Sequence, residues 1–132
     1  MPLYRYHPWI RVLSSLAAAG LMVFIYLESS EPLGVNLGLF PLMDKFVHAG
    51  AYGTLATLLL FSQRPGSEGF NHRQIATACL LAIAYGFSDE WHQSFVPSRT
   101  ADGGDLLADA IGACLAVAWL AHLSGRFYRM PH

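Results

Sequence analysis

The sequence predicts an all-α fold: a polytopic membrane bundle of four transmembrane helices in one domain, with both termini cytoplasmic. Three observations carry this expectation. Hydrophobic residues make up 54% and charged residues 13% of the 132-residue chain, against about 25% charged in an average soluble domain. Mean hydropathy is +0.37, and the apolar residues gather into four separate runs. The charges between those runs are sorted by sign. The length suits one domain, and the basic clusters of a nucleic-acid binder are absent.

The first run, VLSSLAAAGLMVFIYL (residues 12–27), is extended at its start by Trp9 and Ile10. Arg5 and Arg11 precede it and Ala17–Ala19 resemble a cleavage site, yet LMVFIYL continues beyond the alanines. A signal peptide is cleaved after its apolar run, so this segment is expected to be retained as a helix. The second run is FVHAGAYGTLATLLLF (46–61), the third IATACLLAIAYGFS (75–88) and the fourth LLADAIGACLAVAWLAHL (106–123). Crossing a hydrocarbon core takes about 20 residues. The second and third runs reach that only if helix continues through polar residues, giving spans of about 9–27, 44–62, 74–92 and 105–123. The third is the weakest of the four.

Small residues recur inside the runs: Ala49, Gly50 and Gly53, then Ala76, Ala78 and Ala82, then Gly112, Ala113 and Ala116. Membrane helices associate through close backbone approach at such positions, so a tight bundle is expected. Cys79 and Cys114 each lie in an apolar run and read as buried small residues, not as a disulfide framework or a zinc knuckle. Tyr4, Tyr6 and Trp9 suit an aromatic belt at one interface.

Four spans put both termini on one side, together with the loop SQRPGSEGFNHR. That side carries Arg5, Arg11, Arg64, Arg73, Arg126 and Arg129, whereas the other carries only Lys45 and Arg99. The positive-inside rule makes the first side cytoplasmic. Of the acidic residues only Glu68 falls there; the other eight face the extracytoplasmic side.

Three segments meet on that outer face: DKFVHAGAY, SDEWHQSF and DGGDLLAD. Asp44, His48 and Tyr52 are spaced i, i+4, i+8 and share a helix face. Asp89 pairs by spacing with Gln93 and with His92. Asp105 and Asp109 share a face of the fourth helix, Asp109 about 6 Å deeper along the axis. Ionisable groups inside a span are costly and are functional candidates by default. Asp44 and Asp102 also fit helix N-caps, and Asp105 fits a first-turn dipole partner. Glu90 near a helix C-terminus needs a partner, for which Arg99 is the obvious choice. His48 and His92 suit interfacial hydrogen bonding as well as proton transfer.

The run DKFVHAGAY followed by YGFSDEWHQSFVPSRTADGGDLLADAIGA resembles the VanZ-like family, small bacterial integral membrane proteins named after a teicoplanin-resistance protein. The resemblance covers most of the chain after about residue 40. Carried over by position, it implies polar site residues at Asp44, Lys45, His48 and Tyr52, and at Glu90, Gln93, Arg99, Asp102 and Asp105. The family usually has Asn where this chain has Asp109, which exchanges a neutral amide for a charge. The resemblance implies a cell-envelope role and an effect on glycopeptide susceptibility.

Three functions fit these residues. An enzyme would work on an envelope lipid or lipid-linked precursor, with Glu90 as acid or base, His48 and His92 moving protons beside Asp105, and Arg99 clamping an anion. Lys45, Asp44, Tyr52, Gln93, Asp102 and Asp109 would then line the substrate. A binding protein would use Arg99 and the acidic rim to hold a lipid or glycopeptide. A proton-coupled carrier would use Asp105 and Asp109 and would require a homo-oligomer. No G-x-S-x-G is present, so covalent catalysis is not expected. A variant in which His48, His92 and carboxylates bind a divalent metal has no H-E-x-x-H or similar spacing behind it, so no resident metal or other cofactor is expected.

Overall fold

The computed structural model describes residues 7–32, 42–66 and 69–128, with side chains of the last helix described as far as Leu123. Four helices follow one another: α1 (Pro8–Ser30), α2 (Met43–Phe61), α3 (His72–Gln93) and α4 (Gly103–Tyr128). They occupy the four apolar runs. Arg5, Tyr4, Tyr6, Glu68 and Arg129, and the side chain of Arg126, lie outside the described residues.

Local sequence sets the helix starts. Pro8 opens α1, where a missing N–H costs nothing. Asn71 caps α3 in a reciprocal capping box: its side chain accepts from Gln74 N–H, and Gln74 Oε1 accepts from Asn71 N–H, both at 3.0 Å. Asp102 Oδ1 accepts from Gly104 N–H at 2.8 Å at the head of α4, the N-cap its sequence position suggests. Asp44 does not cap α2; Leu42 holds that position, and Asp44 sits in the first turn, where the dipole favours a carboxylate.

The chain runs up, down, up, down. One end of the bundle joins the end of α1, the start of α2, the end of α3 and the start of α4, through Ser30–His92 and Lys45–Asp105 contacts. At the other end Arg11 on α1 donates to Ser62 O at the end of α2 (3.2 Å). α2 and α4 form the closest pair, α3 packs on both, and α1 touches α2 and α3 without reaching α4.

Buried positions follow the helical period. They include Ser14, Ala18, Ile25 and Ser29 on α1, Tyr52, Ala56 and Leu60 on α2, Ala78, Ala82 and Gly86 on α3, and Asp109, Ala113 and Val117 on α4. The core is thus rich in alanine. Large apolar side chains point outward on all four helices, among them Leu16 and Phe24, Phe46 and Val47, Leu81 and Phe87, and Leu115 and Trp119. Such continuous exposed apolar surface marks contact with a membrane or partner.

α1 and the Gly103–Leu123 part of α4 are long and apolar enough to cross a membrane. These are two of the four spans expected. α2 and α3 fall short because they give their polar ends, with Asp44, Lys45, Asp89 and Glu90, to one face of the bundle.

The cysteines depart from expectation. Cys79 on α3 and Cys114 on α4 are joined as a disulfide, with Cα atoms 5.6 Å apart, inside the range the bond needs. Cys79 is half-buried and Cys114 exposed. Their apolar neighbours in the sequence suggest buried thiols, but the pairing depends on the register of two antiparallel helices, which spacing along the chain does not reveal.

The small residues account for the close pair. A Cβ on Gly112 would fall on the backbone of Ala49, 2.6 Å from its Cα, and one on Gly53 would lie 3.0 Å from Gly112 O. Gly50 has nothing within 4 Å. Gly112→Ala is therefore expected to lower the thermal unfolding midpoint in detergent, at a cost of about 3 kcal/mol. Gly50→Ala should leave the midpoint unchanged or raise it, because Ala is the better helix former.

Candidate functional site

The polar residues gather at the end of the bundle where α2 and α4 begin and α3 stops. Lys45, in the first turn of α2, is the hub of the outer layer. Its ammonium bonds Asp102, sits 2.5 Å from Asp105 Oδ1 and lies 3.3 Å from Asp44. Three carboxylates on one ammonium leave this layer net negative. The Lys45 ammonium, with help from Gly104 N–H, holds the Asp102 carboxyl below its ordinary range. A depressed carboxyl stabilises the fold above its unfolded pKa, so this contribution is present at neutral pH and fades as the pH falls through the depressed value.

One turn deeper, His48 connects two carboxylates of α4. Its Nδ1 lies 2.9 Å from Asp109 Oδ1, and its Nε2 lies 3.7 Å from Asp105 Oδ2. Tyr52, a further turn down and fully buried, stacks parallel to the His48 ring with centroids 6.4 Å apart. The Asp44, His48, Tyr52 stripe therefore descends from solvent into the core.

Asp109 is fully buried. Gly86 makes room for it: a Cβ there would lie 2.8 Å from Asp109 Oδ2 and 3.2 Å from Tyr52 Cε1. Glu90, 6% exposed, stands beside the pair from α3. Its Oε2 accepts from Asp102 N–H at 2.8 Å, which ties the end of α3 to the start of α4. His48, Glu90 and Asp109 each offer an atom within 4.8 Å of the others. Four buried oxygens lack a hydrogen-bond partner among the described residues: Tyr52 Oη, Asp89 Oδ1, Glu90 Oε1 and Asp109 Oδ2.

Three expected site residues lie elsewhere. Arg99 does not pair with Glu90. Its Nε donates to Glu31 O (3.0 Å) and its Nη2 to Glu28 O (2.8 Å), satisfying carbonyls that the end of α1 leaves open. The reason is position: the α3–α4 loop turns at Ser98, which takes a positive φ of 67°, and carries Arg99 towards α1. His92 also turns to α1, where its ring meets Ser30 Oγ at 2.9 Å and stacks on Tyr26. Gln93 is buried and donates to Asp89 Oδ2 at 3.1 Å, the i, i+4 pair its spacing suggests.

A cleft of about 260 Å³ opens on Glu90. Phe87, Trp91 and Leu106 form its apolar lining, and Glu90, Ser94 and Asp102 its polar lining. Phe87 and Trp91 are themselves exposed on the outer surface of α3. Sequence reasoning missed Gly86, whose role is to make room; the glycine in YGFSDE, one helical turn before Glu90, is the only signal. It also missed Ser30 and Tyr26, which nothing in their surroundings in the sequence distinguishes.

Arg99→Ala is expected to destabilise the protein by about 1–3 kcal/mol through loss of two charged hydrogen bonds. Arg99→Lys should recover only part of this, since an ammonium lacks the fork that spans both carbonyls. Thermal unfolding of the two variants in detergent checks this.

A family model described as VanZ/LLP1 matches residues 6–124. No curated protein and no solved structure matches the chain. The match takes in all of α1, α2 and α3, most of α4 and every residue of the site, so the chain belongs to the VanZ/LLP1 family.

Proposed function

We propose that the protein acts on an envelope lipid or lipid-linked precursor whose headgroup enters the cleft beside Glu90. The observation that carries this reading is the pairing of an apolar rim with a buried carboxylate. Phe87 and Trp91 face outward along α3 while Glu90 closes the inner end of the same cleft. An amphiphile fits such a site, its chain along the aromatic rim and its polar end at the carboxylate. Glu90 has one oxygen fixed by Asp102 N–H and one free, the arrangement of an acid or base held in a single orientation. His48, hydrogen-bonded to Asp109, is the proton relay.

The cleft lining is acidic, and Arg99 is engaged with carbonyls of α1. Both features favour a headgroup with hydroxyl or amine donors over a bare anion. They also weaken the binding reading that used Arg99 as an anion clamp. An effect on glycopeptide susceptibility would follow from a changed envelope precursor.

The outward apolar faces of all four helices support four spans, with α2 and α3 crossing alongside α1 and α4. The arginines at the opposite end of the bundle, Arg11, Arg64 and Arg73, support a cytoplasmic location for both termini and an extracytoplasmic site. The setting is the bacterial inner membrane.

Two experiments test this. Mass spectrometry of envelope lipids should show a species that changes on expression of the wild type and not of Glu90→Gln. Identical lipid profiles with and without the wild type would count against the reading. A reporter fused after His132 should be active only in the cytoplasm, and activity of a periplasmic reporter there would reverse the orientation.

A further inference from the structure

We infer that His48, Glu90 and Asp109 bind one divalent cation of the zinc or manganese class. The inference rests on the reading of this centre as the working site, with Glu90 and His48 serving as ligands in place of acid–base groups when the ion is bound, but it stands on separate observations. The three side chains come from three helices and present atoms within 4.8 Å of one another. Asp109 is fully buried and Glu90 nearly so, and each keeps one oxygen without a hydrogen-bond partner. A buried carboxylate oxygen with no partner is expensive. A hydrogen bond within the chain engages the other oxygen of each: His48 Nδ1 for Asp109 Oδ1, Asp102 N–H for Glu90 Oε2. Each carboxylate thus keeps one oxygen that no described protein group satisfies, within a cluster whose ligand atoms lie close to the imidazole.

The donor set selects the ion. One imidazole and two carboxylates suit zinc or manganese better than calcium, which takes six to eight oxygens, or magnesium, which keeps most of its water. Three protein ligands leave positions open for water or substrate, as in catalytic sites. The surrounding residues match what a metal-bound histidine requires. Coordination through Nδ1 would replace its present bond to Asp109 Oδ1, and Nε2–H would then face Asp105 Oδ2, 3.7 Å away and held by Lys45. A carboxylate behind the imidazole orients it and raises its basicity. The ion would also offset the negative charge of the cleft, so a phosphate-bearing headgroup would become acceptable there.

The test uses the full-length chain purified in detergent, with any affinity tag removed and metal stripped by chelator. Calorimetric titration with Zn²⁺ and with Mn²⁺, supported by elemental analysis after dialysis, should show one saturable site per chain for at least one ion. His48→Ala and Glu90→Gln should abolish it while helix content by circular dichroism is retained. Asp105→Asn should weaken it by about 10–100-fold, the range for a group behind a metal-bound histidine. His92→Ala should leave it intact, because that ring faces α1. No saturable binding of either ion by the wild type would overturn the inference, as would undiminished binding by folded His48→Ala and Glu90→Gln. Wild-type protein that binds neither ion yet alters envelope lipids would remove the metal and leave the headgroup reading in place. One metal per chain with no lipid change would support the metal and remove the headgroup reading.

Discussion

The backbones of α2 and α4 meet where Gly112 leaves no space between itself and Ala49, and the polar site depends on that contact. The helices approach this closely because neither carries a bulky side chain at the crossing. Beside that contact, towards the start of both helices, lie His48 and Asp109, and beyond them Lys45 and Asp105. A wider spacing would separate each of these pairs. In a membrane setting no hydrophobic force drives helices together, so close packing of small residues carries that load. The alanine-rich core is the same principle extended to α1 and α3.

The inner part of the site holds more carboxyl groups than cationic ones. Lys45 answers the outer carboxylates, and His48 alone answers those beneath. Protein interiors rarely tolerate such an imbalance unless something else completes it. Glu90 and Asp109 could instead have been satisfied by Arg99, the nearest guanidinium in the sequence, but the loop sends it to the end of α1. The fold thereby uses Arg99 to close the end of α1 and leaves Glu90 and Asp109 without a guanidinium partner among the described residues.

Much of this was readable from residue order. The helix runs, the Asp44, His48, Tyr52 stripe, the cap at Asp102 and the Asp89–Gln93 pair all follow from spacing along a single helix, which a linear sequence displays directly. What escaped depends on how helices face each other. Glu90 meeting Asp102 N–H instead of Arg99, His92 turning to Tyr26, and Cys79 reaching Cys114 are all set by rotation and register between helices. Gly86 shows the same limit from the other side, since its importance is the volume it leaves for Asp109 from a different helix.

The bond between Cys79 and Cys114 turns the α3–α4 hairpin into a closed covalent ring. Glu90, Asp102, Asp105 and Asp109 all lie within its circumference, whereas Lys45 and His48 lie outside it on α2. The hairpin therefore cannot spread apart beyond that link, and the α2–α4 seam is the tightest in the bundle. With both seams held, α3, α4 and α2 are tied together beneath the charged centre. The cleft on Glu90 opens instead on the flank of this ring, where Phe87 and Trp91 are exposed.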